Sequence, residues 1–238
     1  MGEILRKQIL IVDDEAEIRE ILAVHLQAAG YRTLEAHNGL IAHEVAGRES
    51  IDAVVSDIRM PRGDGIELLQ QLRARHADTP PVAFMTGFSD IAIEDAYHLG
   101  ARAVLGKPFE MEALLQVVNR LVRPRDESWA DPTPSDSDAP LLSAAFRSVE
   151  KAGIEGNLVF GRGGFMMASR VASRVRYEIL FEEGRLRACR GSGIVRWVRK
   201  APGQRVGIEF ESLEPETREY LRTWIARTGP VPFIPKQA

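Results

Sequence analysis

Polar side chains that could handle phosphate or a metal ion follow several apolar runs in the first half of the chain. Asp13 and Asp14 follow the run QILIV, and Asp57 follows AVVS. Thr86 follows PVAFM, and Lys107 stands two residues after AVL. Carboxylates that are brought together repel one another, and Mg²⁺, which prefers few carboxylates together with water and phosphate oxygens, relieves that repulsion. These residue types therefore predict a magnesium site that handles phosphate, provided that the fold gathers them.

The elements between these residues predict an α/β domain. Five short apolar runs predict strands at 8–12, 32–36, 53–56, 81–85 and 103–105. Apolar spacing near 3.6 residues predicts helices at 15–29, 39–48, 64–75, 89–98 and 110–122. This alternation is typical of a five-stranded, doubly wound parallel sheet with helices on both faces. Sites in such sheets form outside the carboxyl ends of the strands, where the strand order reverses, so strands one and three should be neighbours if the acids share a site.

Two other interpretations of the same residues were weighed. An acid at a strand end is more commonly a helix cap or a solvated turn residue, and Asp14 could cap the helix that begins at Glu15. Coincidence is the weaker explanation, because polar residues of the types that a phosphate site needs follow four different strands. They are an acid pair, a third acid, a threonine and a lysine. A nucleotide-binding or phosphatase-like doubly wound domain is also possible, but the chain lacks a GxxxxGK[ST] loop and has no GxGxxG after its first strand.

Residues 8–122 resemble the receiver domain of two-component response regulators, which has a flavodoxin-like fold. The resemblance is carried by ILIVDDE, SDIRMPRGDG, PPVAFMTGFSD and GARAVLGKPF. It implies a signalling protein rather than an enzyme, one that takes a phosphoryl group from a histidine kinase with Mg²⁺ and loses it slowly by itself. A homodimer through the face near 89–107 is left open.

The resemblance also implies a role for each site residue. Asp57 would be the phosphoacceptor, and Asp13, Asp14, Asp57 and the backbone carbonyl of Arg59 would hold Mg²⁺. Thr86 would hydrogen-bond a phosphoryl oxygen, and Lys107 would pair with the phosphoryl group. The family often has Tyr or Phe three residues before the lysine, whereas this chain has Val104, so the route by which phosphorylation reaches the rest of the molecule is open.

Composition and charge predict a cytoplasmic protein of two domains. The single Cys189 cannot form an internal disulfide. The sequence contains no run of 18 apolar residues that would predict a membrane-spanning helix. The N-terminus has acidic residues at positions where a signal peptide needs an apolar core. Residues 1–122 carry 12 Lys and Arg against 19 Asp and Glu, whereas 141–238 carry 17 against 10. Between them, residues 123–140 are rich in Pro, Ser and Asp and are predicted to be a flexible linker.

The second domain, 141–238, is predicted to be mainly β. Residues 141–152, LLSAAFRSVEKA, have helical spacing. Alternating stretches then follow with turn signals at FEEGRL and RKAPGQRV, and EPETREYLRTWIARTG predicts a closing amphipathic helix. This pattern predicts a small antiparallel β-barrel with flanking helices.

This second part resembles a PilZ domain over about residues 156–228, mainly through GIVRWVRKAPGQRVGIEFESLEPETREYL and GRGGFMMAS. PilZ domains typically bind cyclic di-GMP through RxxxR and [DN]xSxxG segments, and neither stands in place here. Arg170 and Arg174 spell RxxxR after the glycine turn, where solvated turn and strand arginines are the simpler interpretation. The prediction is a degenerate PilZ-like output domain that contacts an unidentified protein partner.

Two alternative functions of the second domain stay open. Arg170 and Arg174 would be the nucleotide-binding residues of a cyclic di-GMP effector. A DNA-binding regulator is less favoured, because no recognition-helix pattern precedes the strands and the closing helix is acidic at its start. The positive charge of 141–238 would also suit nucleic acid, an acidic protein surface or the acidic first domain of the same chain.

Overall fold

The chain forms two compact units in a computed structural model. The first unit comprises residues 1–92 and 99–123, and the second comprises 93–98 and 124–238. Among the residues described, no helix is long and apolar enough to cross a membrane. The structure describes residues 6–87, 91–124, 127, 129, 139–155, 158–171, 173–200, 203–228 and 231–236.

The first unit alternates strands and helices as the sequence predicts. Its strands are β1 (Gln8–Val12), β2 (Arg32–Ala36), β3 (Ala53–Asp57), β4 (Val82–Thr86) and β5 (Ala103–Gly106). Its helices are α1 (Ala16–Ala28), α2 (Gly39–Arg48), α3 (Gly65–Arg75) and α5 (Met111–Leu121), and α4 (Ile93–Leu99) lies between β4 and β5 in the chain. Side chains of Asn38 and Asp64 cap α2 and α3 by accepting hydrogen bonds from backbone N–H groups of the first turn.

The sheet of the first unit is parallel, with strand order β2-β1-β3-β4-β5. Almost every residue of β1, β3 and β4 is buried, as expected for strands covered by helices on both faces, whereas β2 lies at an edge and is more exposed. The predicted five-stranded, flavodoxin-like parallel sheet is confirmed. The strand order reverses between β1 and β3, so these two strands are neighbours as the shared site requires.

Within its described residues, the second unit contains six strands and, besides α4, the two helices given below. The strands are β6 (Leu141–Phe146), β7 (Leu158–Phe160), β8 (Gly164–Ala168), β9 (Arg174–Phe181), β10 (Ala188–Arg199) and β11 (Arg205–Leu213). Helix α6 (Val149–Ile154) follows β6, and helix α7 (Pro215–Thr228) follows β11, which confirms the predicted closing helix. Gly184 in the predicted FEEGRL turn has φ of 101°, a conformation that favours glycine.

The predicted small antiparallel barrel is not confirmed. The strands form one sheet in the order β6-β9-β10-β11-β8-β7, and within the described residues no pairing joins β6 to β7. Four strand pairs are antiparallel, but β6 runs parallel to β9. The second unit is therefore built on a mixed sheet, because β6 runs in the same direction as its neighbour β9 whereas the other neighbours run in opposite directions.

The helix predicted at 141–152 is wrong over its first half. Residues 141–146 form strand β6, in which exposed and partly buried residues alternate, and only 149–154 are helical. Leu142, Ala144 and Phe146 pack against the core, with the Phe146 ring stacked 6.4 Å from that of Phe181. Apolar residues at these positions satisfy a two-residue period as well as a helical one, and pairing with β9 decides between them.

One aromatic residue from the predicted linker belongs to the core of the second unit. The Trp129 side chain is buried and meets the ring of Phe210 edge-on at 5.7 Å. Most of the other positions in 123–140, namely 125–126, 128 and 130–138, lie outside the described residues. The buried indole shows that the hydrophobic core of the second unit begins before residue 141.

A C-terminal segment completes the second unit. Phe233 and Ile234 are fully buried, and the Phe233 ring stacks on that of Tyr97 in α4 with centroids 6.4 Å apart. Phe233 also packs on the glycine turn between β7 and β8, where the Gly163 N–H donates to the Phe233 carbonyl oxygen. A Cβ atom at residue 163 would lie 1.7 Å from the Phe233 ring, so only glycine leaves room for this aromatic side chain.

The fold therefore predicts a selective effect of Gly163→Ala. Because the added methyl group overlaps the Phe233 ring, the variant should lose about 1–3 kcal/mol of the free energy of unfolding of the second unit. Urea unfolding followed by tryptophan fluorescence measures this, since all three tryptophans of the chain, at 129, 197 and 224, belong to that unit. Gly153→Ala is the matched control, because its Cβ would meet its nearest neighbour at 3.9 Å; an equal loss in both variants would contradict the packing argument.

Candidate functional site: an acid–lysine cluster at the carboxyl edge of the parallel sheet

Asp13, Asp57 and Lys107 come together where β1, β3 and β5 end. Asp13 follows β1, Asp57 is the last residue of β3, and Lys107 follows β5. The Lys107 Nζ atom donates to Asp57 Oδ1 at 2.6 Å and to Asp13 Oδ2 at 3.2 Å. One ammonium group thus contacts two carboxylates that stand 44 residues apart in the chain, and the parallel sheet brings all three to one edge.

The two carboxylates are buried and oriented by backbone groups. Asp13 is 1% exposed, and its Oδ1 accepts a hydrogen bond from the Glu15 N–H. Asp57 is 7% exposed, and its Oδ2 accepts a hydrogen bond from the Arg59 N–H. Each side chain therefore uses one oxygen for the backbone and the other for Lys107, which holds both carboxyl groups in fixed orientations.

Burial and the neighbouring charges act in opposite directions on the pKa values of Asp57 and Lys107. Burial raises the pKa of Asp57, the hydrogen bond and charge of Lys107 lower it, and the charge of Asp13 raises it again, with a net increase. For Lys107, burial opposes the charged form, but the hydrogen bond and charges of Asp57 and Asp13 together raise its pKa. Lys107 is therefore protonated at neutral pH, and one lysine does not fully offset two buried carboxylates. A further cation at this edge would be favourable.

Asp14 occupies a different position from Asp13. Its side chain is exposed, and within the described part of the chain its carboxylate accepts no hydrogen bond and forms no ion pair. A set of three or more His, Cys, Asp or Glu side chains close enough to hold a metal ion is not found among the described residues. The structure thus brings Asp13 to Asp57 through Lys107 but does not bring the Asp14 carboxylate into that group.

Thr86 and Arg59 lie at the same edge of the sheet. Thr86 ends β4, is 6% exposed, and its hydroxyl donates to the Gly87 carbonyl oxygen at 2.8 Å. The Lys107 backbone N–H donates to the Thr86 carbonyl oxygen at 2.7 Å, which ties the lysine to the end of β4. Arg59 contributes the N–H that orients Asp57. All of the predicted first-unit site residues therefore lie at the carboxyl ends of β1, β3, β4 and β5.

Two positioning side chains are not apparent in the sequence pattern. Arg19 donates to the backbone carbonyl oxygens of Asp13 at 2.8 Å and Asp14 at 3.2 Å, so it holds the turn after β1. Ser56 is fully buried, and its hydroxyl donates to the Asp57 carbonyl oxygen at 2.7 Å. Neither residue has a spacing signal, because both act on backbone atoms whose positions depend on the folded turns.

A close backbone contact, and not only a turn, requires glycine at residue 65. A Cβ atom at this first residue of α3 would lie 2.3 Å from the Asp57 carbonyl oxygen, and the Gly65 N–H donates to the Ile58 carbonyl oxygen at 2.9 Å. The start of α3 therefore approaches β3 closely. This contact fixes the loop that carries Arg59 and so the orientation of Asp57.

Arg170 and Arg174, which the sequence offers as possible nucleotide-binding residues of the second unit, have different surroundings in the structure. Arg174 forms two hydrogen bonds with the Glu211 carboxylate, at 2.7 and 2.8 Å. Arg170 lies exposed in the loop between β8 and β9. A bidentate arginine–carboxylate pair uses the guanidinium edge that would otherwise hold a phosphate.

The cluster predicts that Lys107→Ala destabilises the first unit. At pH 7 the loss should be about 1–3 kcal/mol, because two buried carboxylates are left without their cation. Because the pKa of Lys107 is raised in the folded protein, the stabilisation that its charge provides is fully present below the ordinary lysine pKa. That stabilisation is lost as the pH rises through the raised pKa. The loss should therefore shrink at alkaline pH, where Lys107 itself loses its proton, and at acid pH, where the Asp57 carboxylate gains one.

Hydrogen exchange of the β1 and β3 amides measures this loss without interference from the second unit. Lys7→Ala is the matched control, since Lys7 pairs with Asp52 at 2.8 Å but is half-exposed, and such pairs contribute about 0–1 kcal/mol. Protection factors that fall equally in both variants at pH 7 would contradict the assigned role of Lys107.

Comparison with known proteins matches the first unit to one family. The sequence profile of the response regulator receiver domain matches residues 9–119. Response regulator protein PilR of Pseudomonas aeruginosa is 37% identical over 152 residues, covering 61% of this chain and 34% of PilR. The DNA-binding transcriptional regulator NtrC of Escherichia coli is 34% identical over 148 residues, covering 58% of this chain and 31% of NtrC. The chain thus spans about one third of the length of these curated relatives.

Solved structures with similarity to the chain carry related descriptions. The receiver domain of the Francisella response regulator 1452 is 28% identical, with 49% of this chain and 97% of that chain covered and a TM-score of 0.47. The response regulator TrrA from Thermotoga maritima in complex with Mg²⁺ and BeF is 32% identical, with 48% and 98% covered and a TM-score of 0.45. The profile match and the curated relatives carry the assignment: residues 9–119 of this chain are a response regulator receiver domain.

Proposed function

We propose that the chain is a response regulator in which Asp57 accepts a phosphoryl group from a histidine kinase. The observation that carries this assignment is the contact of Lys107 with the buried Asp57 carboxylate at the carboxyl edge of the parallel sheet. Receiver domains are phosphorylated on an aspartate, and Asp57 is the acid at the end of the central strand β3, beside both β1 and β4. The protein is then a cytoplasmic signalling protein rather than an enzyme.

The transfer follows from the orientation of Asp57. One Asp57 oxygen attacks the phosphorus atom, the bond from phosphorus to the donor nitrogen breaks, and its electron pair leaves with the donor. Lys107, which contacts Asp57 Oδ1, is placed to pair with the transferred group, and the Thr86 hydroxyl is placed to donate to one of its oxygens. The Arg59 N–H holds Oδ2 and limits rotation of the carboxylate. Phosphoryl transfer needs this positioning and charge neutralisation more than covalent assistance.

Receiver domains bind Mg²⁺ for phosphorylation, and the donor set of this chain fits that ion. Asp13 and Asp57 are buried carboxylates with incomplete charge compensation, and the exposed Asp14 carboxylate has no partner within the described residues. Together with the backbone carbonyl of Arg59 these oxygens are hard ligands of the type that Mg²⁺ prefers. When bound, the ion would offset the negative charge of the carboxylates and of the incoming phosphate.

Phosphorylation by acetyl phosphate tests this assignment. With Mg²⁺, the intact mass of the full chain should increase by one phosphoryl group, and Asp57→Asn should abolish the increase because a neutral amide replaces the nucleophilic carboxylate. Asp52→Asn is a matched control, since Asp52 is an acid of the same unit that pairs with Lys7 away from the site. Removal of Mg²⁺ with a chelator should also abolish labelling; equal labelling of wild type and Asp57→Asn would refute the assignment.

We also propose that the second unit is a degenerate PilZ-like output domain that acts by contacting a protein partner. The resemblance of residues 156–228 supports the family, together with the closing helix α7 after β11. Part of the positive charge of this unit lies beside carboxylates of the same unit. Five of its arginines pair with glutamates of the same unit, namely Arg147, Arg174, Arg190, Arg196 and Arg222. A surface on which charges of both signs lie side by side fits a protein partner, whose surface also carries both signs.

A DNA-binding output is the alternative suggested by the name of NtrC. Its shared region with this chain covers 58% of the chain, so the relationship does not extend through the whole second unit. Helix α7 carries exposed Glu216 and Glu219 in its first turns, and DNA phosphates would be repelled there. Protein contact is therefore the better supported output.

The engagement of Arg174 predicts that the chain does not bind cyclic di-GMP. Release of Arg174 from Glu211 would cost two charge-assisted hydrogen bonds before a phosphate could be held. Calorimetry with the full chain should give no binding heat at micromolar nucleotide. Micromolar binding that is lost in Arg170→Ala and Arg174→Ala, but retained in Arg147→Ala at the exposed pair with Glu183, would establish the second-messenger function instead.

A further inference from the structure

Helix α4 packs with the second unit, although in the chain it lies between two strands of the first. It follows β4 and precedes β5, and residues 93–98 fall within the stretch 9–119 that matches the receiver domain. By packing, however, residues 93–98 belong with 124–238. The receiver strands β4 and β5 are therefore joined by the chain to an element of the second unit.

The C-terminal segment of the second unit, residues 231–236, holds α4 through an aromatic stack. The rings of Tyr97 and Phe233 have centroids 6.4 Å apart, and both residues are buried. The Ile234 N–H also donates to the Tyr97 carbonyl oxygen at 3.3 Å. Arg196 of β10 interacts electrostatically with Tyr97, so this residue lies near the sheet of the second unit as well.

Polar contacts hold the end of the C-terminal segment on the same helix. The Lys236 ammonium group pairs with the Asp95 carboxylate. The Lys236 backbone N–H donates to His98 Nδ1 at 3.4 Å. Asp95 and His98 are three residues apart, so they lie on the same side of α4. The segment therefore holds α4 through an ion pair and hydrogen bonds in addition to the aromatic stack.

The glycine turn between β7 and β8 binds the same C-terminal segment. The Arg162 N–H donates to the Pro232 carbonyl oxygen at 2.9 Å, next to the bond that Gly163 makes. A Cβ atom at residue 161 would lie 2.5 Å from the Phe233 carbonyl oxygen, so the turn accepts the segment only with glycine there. The C-terminal segment therefore connects α4 to the strands of the second unit.

The Thr86 hydroxyl relates the phosphorylation site to α4 along the chain. It donates to the Gly87 carbonyl oxygen at 2.8 Å, and Gly87 is the first of the residues 87–92 that join β4 to α4. A hydroxyl has one proton to donate, so donation to a phosphoryl oxygen on Asp57 removes the bond to Gly87. Phosphorylation therefore changes the contacts at the start of a short connection that leads to α4.

We propose that the C-terminal segment restrains α4 and that this restraint and phosphorylation of Asp57 oppose each other. While α4 is held, its connection to β4 keeps the Thr86 hydroxyl on Gly87. When Asp57 is phosphorylated, the hydroxyl turns to the phosphoryl group and the C-terminal segment releases α4. Release uncovers the rings of Tyr97 and Phe233, which gives the second unit a surface that depends on phosphorylation. This inference rests on the proposed phosphorylation of Asp57.

Hydrogen exchange of the full chain measures the release of α4. After labelling by acetyl phosphate with Mg²⁺, the amides of 93–99 and 231–236 should exchange about fivefold faster, because the contacts that protect them are lost. Amides of β10 should not change, since that strand keeps its partners on both sides. The same addition to Asp57→Asn should change neither set.

Variants of the C-terminal segment test the reverse effect, since coupling between two sites acts equally in both directions. Phe233→Ala removes the stacked ring and should raise the initial rate of labelling by acetyl phosphate about fivefold. Phe146→Ala is the matched control, because it removes a ring that is stacked on Phe181 at the same centroid distance of 6.4 Å in the same unit. Its labelling rate should equal that of the wild type.

A charge variant covers the case in which Phe233→Ala disturbs the folding of the second unit, which circular dichroism detects. Lys236→Gln removes only the ion pair with Asp95 and should also raise the labelling rate, by a smaller factor. Its matched control is Arg147→Gln, which removes the exposed pair with Glu183 in the same unit and should leave the rate unchanged.

Two outcomes would overturn the proposal while the assignment of Asp57 stands. One is a fully labelled chain in which α4 and the C-terminal segment exchange as slowly as before. The other is a labelling rate that does not rise in the variants of the C-terminal segment, or that rises equally in their controls. A wild-type chain that acetyl phosphate does not label at all would reject the receiver function and this inference together.

Discussion

The ammonium group of Lys107 lies between two carboxylates that would otherwise repel each other at the edge of the parallel sheet. Asp57 and Asp13 are 7% and 1% exposed, so water does little to screen their charges. Their burial is tolerated because each has a backbone N–H on one oxygen and Lys107 on the other. The same arrangement leaves excess negative charge, so the site is suited to a cation, which would in turn offset the negative charge of a phosphoryl group.

The sheet makes this contact possible by its strand order. Neighbouring β1 and β3 place Asp13 beside Asp57, and β4 separates β3 from the strand that carries Lys107. The lysine side chain is long enough to reach across the end of β4, and its backbone N–H is fixed to the Thr86 carbonyl oxygen. The turns are held from outside the cluster by Arg19, and Gly65 allows the close approach of α3 to β3. Charge placement is therefore a consequence of strand order and of a few tight backbone contacts.

The sequence predicted the structure well where a polar residue directly follows a buried strand. It predicted the structure less well where pairing between distant strands determines the conformation. All five strands of the first unit and the convergence of Asp13, Asp57 and Lys107 followed from apolar runs and strand ends. The position of Asp14 did not, because adjacent residues after a strand point in different directions and the turn decides which is buried. Residues 141–146 were misassigned because LLSAAF fits two periods, and its partner β9 lies more than 30 residues away. Trp129 was hidden in a polar segment whose composition resembles a linker.

The arginines of the second unit show why net charge alone misleads about partners. Counted by sequence, this unit is strongly basic, but pairs such as Arg174 with Glu211 and Arg196 with Glu209 place carboxylates beside arginines on the sheet. An open groove along α7 differs from the sheet, since it is lined by Glu150, Glu216, Arg185 and Arg227, none of which forms an ion pair within the described residues. A partner that enters this groove therefore meets charges of both signs. Because half-exposed Tyr220 and Trp224 line the same groove, it offers both the charge and the apolar contact area that a specific protein contact requires.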